Sequence, residues 1–317
     1  MISILIPVHD YDIVALVHSM KNGISKVQEY CEILIGDDGS SDEFRKLYRS
    51  MEGNGVRIVG VEKNVGRAVI RNKLVLEAKG EHVLFLDSDT MVCGTAEAFL
   101  QKWLEYLPQN RVICGGVLYH ESPPGDPDKI LRWKYGRRKD QLKASERNKN
   151  PYTHFITFNV LIDKSIFSKI RFYEELKQYG HEDTLFGYQL KKAGIDVLHI
   201  DNGLLHEGLE TNRDFITKMK LSIENLSKLF DIVTDLRTFS DTVILLKYYN
   251  RLRFLRLTRI FARLFIKYRE RMERHLDSSD PSLKLLRFYK ISMFCRYREI
   301  HSRRKGLIPF FKTPENI

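Results

Sequence analysis

Two aspartates separated by a single residue close an apolar run in HVLFLDSDTMVC: Val83 to Leu86 are followed by Asp87, Ser88 and Asp89. Carboxylates that close repel each other unless a cation or a donor-rich ligand lies between them. The plainer alternative is a turn whose aspartate caps the next helix. In LIGDDGSSD, Asp37 and Asp38 can accept from nucleobase N–H groups or ribose hydroxyls, and Gly39 admits backbone close to a ligand. A D-G-S turn with Asp42 capping the following helix would use the same residues. Arg67 and Arg71 in EKNVGRAVIRNK stand four apart at a helix start, after Asn64 and Gly66. Helix-start amides and guanidinium groups favour phosphate, with a solvated basic face as the alternative. Glu182 and Asp183 in YGHEDTLFGYQL come just before the apolar face of Leu185, Phe186 and Leu190. At a helix N-terminus the dipole favours an ionised carboxylate able to take a proton, although an acidic first turn also stabilises a helix without chemistry.

Such groups need elements that deliver them to one edge. Short apolar runs alternate with amphipathic stretches through the first half, the pattern of βαβ units and a parallel sheet. The spacing predicts strands at Ile2–Val8, 31–36, Val56–Val61 and 83–86, with helices over 11–27, 43–50 and 66–78. Three of the four strand ends run into polar clusters, HDYD, DDGSSD and DSDT, which lines a carboxyl edge with acids. Open α/β sheets bind ligands at that edge. Beyond residue 95 we expect a helix over 96–107, a strand over 112–118, and a long polar, Pro-containing basic stretch from HESPPGDPDK to RNKNPYTH. Trp133, Tyr135 and YGRRKD in that stretch fit a mobile lid or an acceptor wall, or equally a solvated loop. Order returns with FITFNVLI, a helix from Lys164, the strand DVLHI and LLHEG, and from 212 onward the pattern is helical.

A chain of 317 residues, 43% apolar and 29% charged, has the composition of a globular protein with a full core. Cys31, Cys93, Cys114 and Cys295 are scattered, without zinc-like or C-x-x-C spacing, which fits a reducing cytosol. MISILIPVHDYD has no basic n-region, and no window approaches the ~20 apolar residues of a spanning helix. The expected location is cytoplasmic. The net charge of +11 is unevenly placed: residues 1–217 hold 29 basic against 31 acidic residues, and residues 218–317 hold 23 against 10.

SILIPVHD, DDGSSD, KNVGRAVIRN, FLDSDT and GHEDTLFGYQLKKAG, in that order and with comparable gaps, resemble the family 2 glycosyltransferases of the GT-A fold over residues 1–210. His9 and Asp10 stand where such proteins often have an aromatic residue and Asn, and DDGSSDEF lacks their common Thr, departures that bear on the donor base and sugar. The resemblance implies an α/β domain, a GT-A-like mostly parallel sheet flanked by helices, over residues 1–215. Its 1–95 half would bind nucleotide and its 96–215 half the acceptor; the helical pattern and excess of basic residues beyond it read as an all-helical basic extension over 216–317. It implies metal-dependent, inverting transfer of a sugar from a nucleotide-sugar, a UDP-sugar ahead of a GDP-sugar, to the hydroxyl of a glycan or lipid-linked acceptor. Cell-surface polysaccharide or glycolipid synthesis would be the setting. Pro7, Asp37, Asp38, Asn64, Arg67, Arg71, Asp87 and Ser88 would surround the nucleotide. Asp89, Asp87 and His206 would hold Mn²⁺ or Mg²⁺, which neutralises the departing diphosphate. Glu207 is a second candidate beside His206, whereas His199 reads as a packed core residue. Asp183 would be the base and Glu182 the acid contacting the acceptor.

In the tail, basic residues at 256, 259, 263, 267, 271 and 274 share one helical face, next to a stripe of Leu257, Ile260, Phe261, Leu264, Tyr268 and Met272. The stripe can pack on the domain, or the helix can lie on an anionic membrane at the inner face of the cell. HSRRKGLIPFFK adds apolar residues behind a basic cluster, which favours the surface. A nucleotidyltransferase would want a Gly- and Arg/Lys-rich loop after strand one, where IPVHDYD is acidic. The remaining alternative is an inactive GT-A-like scaffold or binding protein working through its basic tail. Nucleic acid is not an expected partner, because the tail arginines form no recognisable nucleic-acid module.

Overall fold

Buried β-branched runs pair in parallel when helices cover both faces of the sheet, and the first four runs do so: β1 (Ile2–Val8), β2 (Cys31–Asp38), β3 (Val56–Val61) and β4 (His82–Leu86). This is a computed structural model that describes residues 1–27, 29, 31–107, 111–176 and 179–305. Helices α1 (Val14–Ile24), α2 (Asp42–Ser50) and α3 (Arg67–Glu77) connect the strands. Beyond them come β5 (Thr90–Val92), α4 (Ala96–Tyr106), β6 (Val112–Cys114) and β7 (Val117–Leu118). The chain continues through α5 (Ile130–Lys139), α6 (Ala144–Arg147), β8 (Asn159–Asp163), α7 (Glu182–Lys192), β9 (Leu198–His199) and β10 (Leu204–His206).

The main sheet has seven strands in the order β3-β2-β1-β4-β8-β6-β9, and β5-β10-β7 form a smaller one. Only β8 runs against its neighbours in the main sheet. β2 and β3 lie to one side of β1 and β4 lies to the other, so the strand order reverses at β1. At such a point the two crossover helices cover opposite faces and leave a crevice beyond the carboxyl ends. The acids after β4 open into that crevice.

Three sequence expectations change. The strand foreseen over 112–118 is two strands in two sheets, because Gly116 turns the chain at φ +100 with the Arg147 guanidinium packed against it. The helix expected from Lys164 is a 3-10 helix, Lys164–Ser168, begun by the Asp163 side chain accepting from Ser165 N. The long polar stretch is structured rather than a loop: 3-10 turns at Pro127–Lys129 and Pro151–His154 bracket α5 and α6, and Trp133 and Tyr135 sit on α5. Local charge hid a helix whose buried side carries only two aliphatic residues, Ile130 and Leu131.

Arg147 also explains His199. Its buried guanidinium donates to the carbonyls of Leu142, Cys114, Gly115 and Ile200, and to His199 Nδ1 at 2.8 Å. Arginine only donates, so Nδ1 accepts and the Nε2 proton goes to the Pro151 carbonyl at 2.9 Å. Burial first, and then the Arg147 charge, push this imidazole down to about 4. A depressed folded pKa gives stability that is full above the ordinary value near 6.5 and is lost as pH falls toward 4. Urea unfolding should therefore show wild type losing up to about 3 kcal/mol across that window relative to His199→Gln. Parallel curves for the two proteins would mean His199 does not govern acid stability.

The chain divides into two compact units: 1–120, 137–177 and 182–208 form the first, and 121–136, 178–181 and 209–317 the second. The second unit is built on α8 (Asn212–Ile232), α9 (Leu236–Thr242), α10 (Ile244–Phe254), α11 (Thr258–Leu276) and α12 (Leu283–Lys305). Phe230, Tyr249 and Phe294 meet edge to face in its core. Arg298 forks onto both Asp231 oxygens, at 2.7 and 2.9 Å, over the Phe230 ring. The tail stripe read from sequence does not pack as a unit. Ala262, Phe265, Met272 and Leu276 form the buried face of α11, while Ile260 and Tyr268 are exposed. Of HSRRKGLIPFFK, His301 sits with its Nδ1 3.1 Å from Asp231 Oδ2 and the helical backbone runs on to Lys305; the rest lies outside the described residues. Among the described residues no helix is long and apolar enough to cross a membrane.

Candidate active site

Arg71 stands between the two acidic clusters of the first unit. It projects from α3, is 1% exposed, and donates from Nη2 to Asp87 Oδ1 at 3.1 Å and from Nη1 to Glu182 Oε1 at 3.2 Å. The guanidinium therefore ties the end of β4 to the start of α7, 95 residues apart in sequence, and Phe172 lies under it at 5.6 Å. Phe172 in turn stacks on Phe186 with centroids 4.6 Å apart and meets Phe85 edge-on. An apolar wall on one side raises the worth of each charge contact above it. Asn72, the neighbour of Arg71, fixes that wall. Its Nδ2 donates to the Phe172 carbonyl at 2.8 Å and its Oδ1 accepts from Phe172 N at 3.0 Å. Sequence reasoning passed over Asn72, although a buried amide on an otherwise apolar helix face is a usable signal.

Asp183 is the second residue of α7, and its Oδ1 accepts from Thr184 N at 2.7 Å. Burial, and after it the charge of Glu182, push its carboxyl up to about 7, against the pull of Arg71 and of the Thr184 amide. Burial alone would raise Glu182 too, but Arg71 and Arg67 outweigh it and hold that carboxyl below its usual range. Two neighbouring acids thus differ in kind: Glu182 stays ionised against Arg71, while Asp183 can hold or release a proton near neutrality. The backbone ahead of them is unusual. Gly180 has φ +96 and His181 φ +71, a left-handed conformation that a histidine adopts at some cost. Nothing in the sequence marked His181.

At the end of β4, Asp87 N donates to the Phe158 carbonyl at 3.0 Å, and Ser88 and Asp89 follow in a turn that leads into β5. Antiparallel pairing sets Thr90 opposite His206, and Glu207 N bonds the Asp89 carbonyl at 2.9 Å. That register puts His206 Nε2 3.4 Å from Asp89 Oδ2, with the rings of Tyr119 and Phe158 centred 5.4 and 5.6 Å from the imidazole. Gly208 lies so close that a Cβ there would run into the Asp89 carboxylate. Glu207 turns instead to His120, with its Oε1 3.1 Å from Nε2. Tyr11, in the β1–α1 loop, was not singled out from sequence. Burial, and then the charges of Asp89 and Glu207, raise its phenol.

The donor set suits a divalent cation. Asp89 supplies carboxylate oxygen and His206 an imidazole nitrogen, a pairing that suits Mn²⁺ better than Mg²⁺. Arg71 takes Asp87 Oδ1. Burial, partly offset by Arg71 and Arg67 and reinforced by Asp89, leaves its carboxyl raised, so added positive charge would be favoured there. Among the described residues no group of three or more His, Cys, Asp or Glu could hold a metal ion unaided. Cations of this kind commonly take one or two protein carboxylates and complete their shell with substrate phosphate and water.

The remaining candidates are divided. Pro7 pairs in register with Gly36 at the end of β1 and is partly exposed. Asp37 and Asp38 are buried, and both serve backbone: Asp37 Oδ1 accepts from Ser40 N at 2.8 Å, and Asp38 takes Val65 N at 2.8 Å and Gly66 N at 3.1 Å. Each carboxylate oxygen has a second lone pair, so this clamp on the loop before α3 leaves acceptor capacity. Asp42 does not cap the helix after DDGSSD: it is the first residue of α2, and Ser41 stands at the N-cap position without a side-chain capping bond. Asn64 and Arg67 are exposed at the start of α3, and Arg67 reaches Asp87, Glu182 and Asp183 through its charge.

Residues 3–171 match the sequence profile of Glycosyl transferase family 2. Glycosyltransferase GlyG of Streptococcus pneumoniae serotype 4 is 30% identical over 124 residues, which is 38% of this chain and 41% of that protein. Poly-beta-1,6-N-acetyl-D-glucosamine synthase of Staphylococcus aureus (strain COL) is 30% identical over 98 residues, 31% of this chain and 24% of the relative. These matches span less than half the length of those relatives. The mannosyltransferase PcManGT from Pyrobaculum calidifontis, solved with GDP-Man and Mn²⁺, superimposes with a TM-score of 0.56 at 11% identity, over 95% of this chain and 86% of that one. At that identity the likeness is one of fold.

Proposed function

The chain belongs to glycosyl transferase family 2 and is a glycosyltransferase, and from that premise we propose that it moves a sugar from a nucleotide diphosphate donor to an acceptor hydroxyl in one inverting displacement. The support that carries the reading is the Arg71 bridge: a single guanidinium holds the Asp87 end of one cluster against the Glu182 start of the other. A donor site and a base are thereby fixed relative to each other, which a displacement between two substrates requires.

In this reading Asp183 takes the acceptor proton as the new C–O bond forms and the bond to the diphosphate breaks. Its carboxyl near 7 is matched to work at neutral pH. Glu182, kept ionised by Arg71, accepts a second acceptor hydroxyl and orients the sugar. Asp38 and the loop it clamps, with Asn64, Pro7 and Ser88, position the nucleoside, and Arg67 at the α3 N-terminus faces phosphate. A divalent metal held by Asp89 and His206, its shell completed by the donor's phosphates and water with Asp87 alongside, would act as a Lewis acid on the leaving diphosphate. Residues 1–95 form the donor half and 96–215 the acceptor half, with 216–317 as an extension. The GDP-Man and Mn²⁺ of the mannosyltransferase support a nucleotide-sugar and a divalent metal, and the poly-beta-1,6-N-acetyl-D-glucosamine synthase supports polysaccharide synthesis as the setting. A UDP-sugar is the first donor to try and a GDP-sugar the second.

Calorimetric titration with UDP and GDP, each with Mn²⁺ and with chelator, tests the donor site. Wild type should bind one nucleotide only with metal, and Asp89→Ala should weaken that binding at least tenfold. Equal binding with chelator, or an unaffected folded variant, would remove Asp89 and the metal from the reading.

A further inference from the structure

Exposed apolar surface is concentrated in one place. Of the twelve large hydrophobic side chains that are exposed among the described residues, seven fall between Ile244 and Tyr268, on α10 and α11. Phe254 is 86% and Leu255 59% exposed, and both lie where α10 gives way to α11. This is an ordered tip rather than a frayed end. Leu255 N bonds the Arg251 carbonyl at 3.0 Å, Arg256 N the Arg253 carbonyl at 3.1 Å and Leu257 N the Leu252 carbonyl at 2.8 Å. Arg256 takes φ +57 to close the turn. Held in this way, a phenylalanine and a leucine are presented to water at a hydrophobic cost that some partner should relieve.

The charge around the tip states what that partner is. Residues 247–267 carry seven Lys or Arg and no Asp or Glu, and the first acid after them is Glu270. Ile244, Tyr248 and Arg251 follow one another at helical spacing on α10, and Leu255, its C-cap, continues the row. Arg259, Arg263 and Ile266 do the same on the exposed side of α11, away from its buried face of Ala262, Phe265, Met272 and Leu276. Apolar side chains flanked by arginines at one ordered turn match a bilayer interface, with an acyl region for the rings and an anionic headgroup layer for the guanidinium groups.

We propose that the α10–α11 turn is a membrane-docking tip, with Phe254 and Leu255 inserting into an anionic lipid surface and Arg251, Arg256, Arg259 and Arg263 pairing with its phosphates. The proposed transfer bears on this only in that a lipid-linked acceptor would be found at such a surface. The tip belongs wholly to the helical unit and needs no residue of the candidate active site.

The test is co-sedimentation of the full chain with vesicles of phosphatidylcholine alone and of an equal phosphatidylcholine and phosphatidylglycerol mixture, at low and high salt. Wild type should bind the anionic vesicles, weakly or not at all the neutral ones, and less in high salt. Phe254→Ser with Leu255→Ser should lose tenfold or more. Arg256→Gln with Arg259→Gln should lose roughly fivefold per arginine, the equivalent of about 1 kcal/mol each near a charged surface. Three results would overturn the proposal. One is no vesicle binding by wild type. Another is equal binding by the serine variant, with heparin competing, which would make the region a general polyanion surface. The third is a wild-type dimer that the serine variant dissolves, which would make the tip an interface between copies. Nucleotide titration of the same variants should be unchanged, so a failed tip and a failed donor site are told apart.

Discussion

Asp183→Asn should abolish transfer while leaving metal-dependent nucleotide binding as it is. A positioned general base is worth roughly 10²- to 10⁴-fold, and the asparagine keeps the shape and can still accept from Thr184 N. In wild type, kcat/KM should climb as pH passes through about 7, where the carboxyl ionises, and the variant should lack that limb. Stability should move the other way. Because the folded pKa is raised above the unfolded value, the stabilising contribution is present below the unfolded pKa of 3.8 and is lost as pH rises through about 7. At pH 8 wild type therefore carries a poorly solvated charge that the variant lacks. Asp183→Asn should then be the more stable protein by on the order of 2 kcal/mol, allowing for solvent at this half-buried site. Wild-type kcat in the variant would end the assignment of Asp183 as the base.

Arg71→Met should damage both fold and chemistry. Replacing one partner of a buried ion cluster strands the others, at a cost of about 3–5 kcal/mol, and here two carboxylates, Asp87 and Glu182, lose the same guanidinium. With Arg71 gone, Glu182 and Asp183 rise together, so the limb of the pH profile should move to more alkaline values. Adding Glu182→Gln should recover part of the stability by removing one stranded charge, without recovering transfer. Lysine is a poor substitute, since its point charge lacks the rigid planar fork that sets Nη1 on Glu182 and Nη2 on Asp87. Urea unfolding of the single and double variants reads this out. A midpoint unchanged in Arg71→Met would mean that the bridge contributes nothing.

Much of this architecture was legible along the chain. Alternating apolar runs and amphipathic stretches locate β1 to β4 and α1 to α3 to within a few residues, because burial on both faces demands unbroken apolar strands. Glu182 and Asp183 do open a helix, as the apolar spacing after them required. Side-chain type and spacing sufficed for these because the determining forces are local. Where the decisive contact is distant, the sequence was silent. Only the tertiary structure separates 112–118 into two sheets, folds the charged stretch before residue 155 into helices, and turns Asp37 and Asp38 inward onto the backbone of neighbouring loops. It also decides which face of α11 is covered, since a continuous amphipathic pattern offers several stripes and packing chooses one. The different states of Glu182 and Asp183 depend on it most of all. Adjacent acids look alike in a sequence, and only the position of Arg71, brought in from 111 residues away, keeps one charged and leaves the other ready to take a proton.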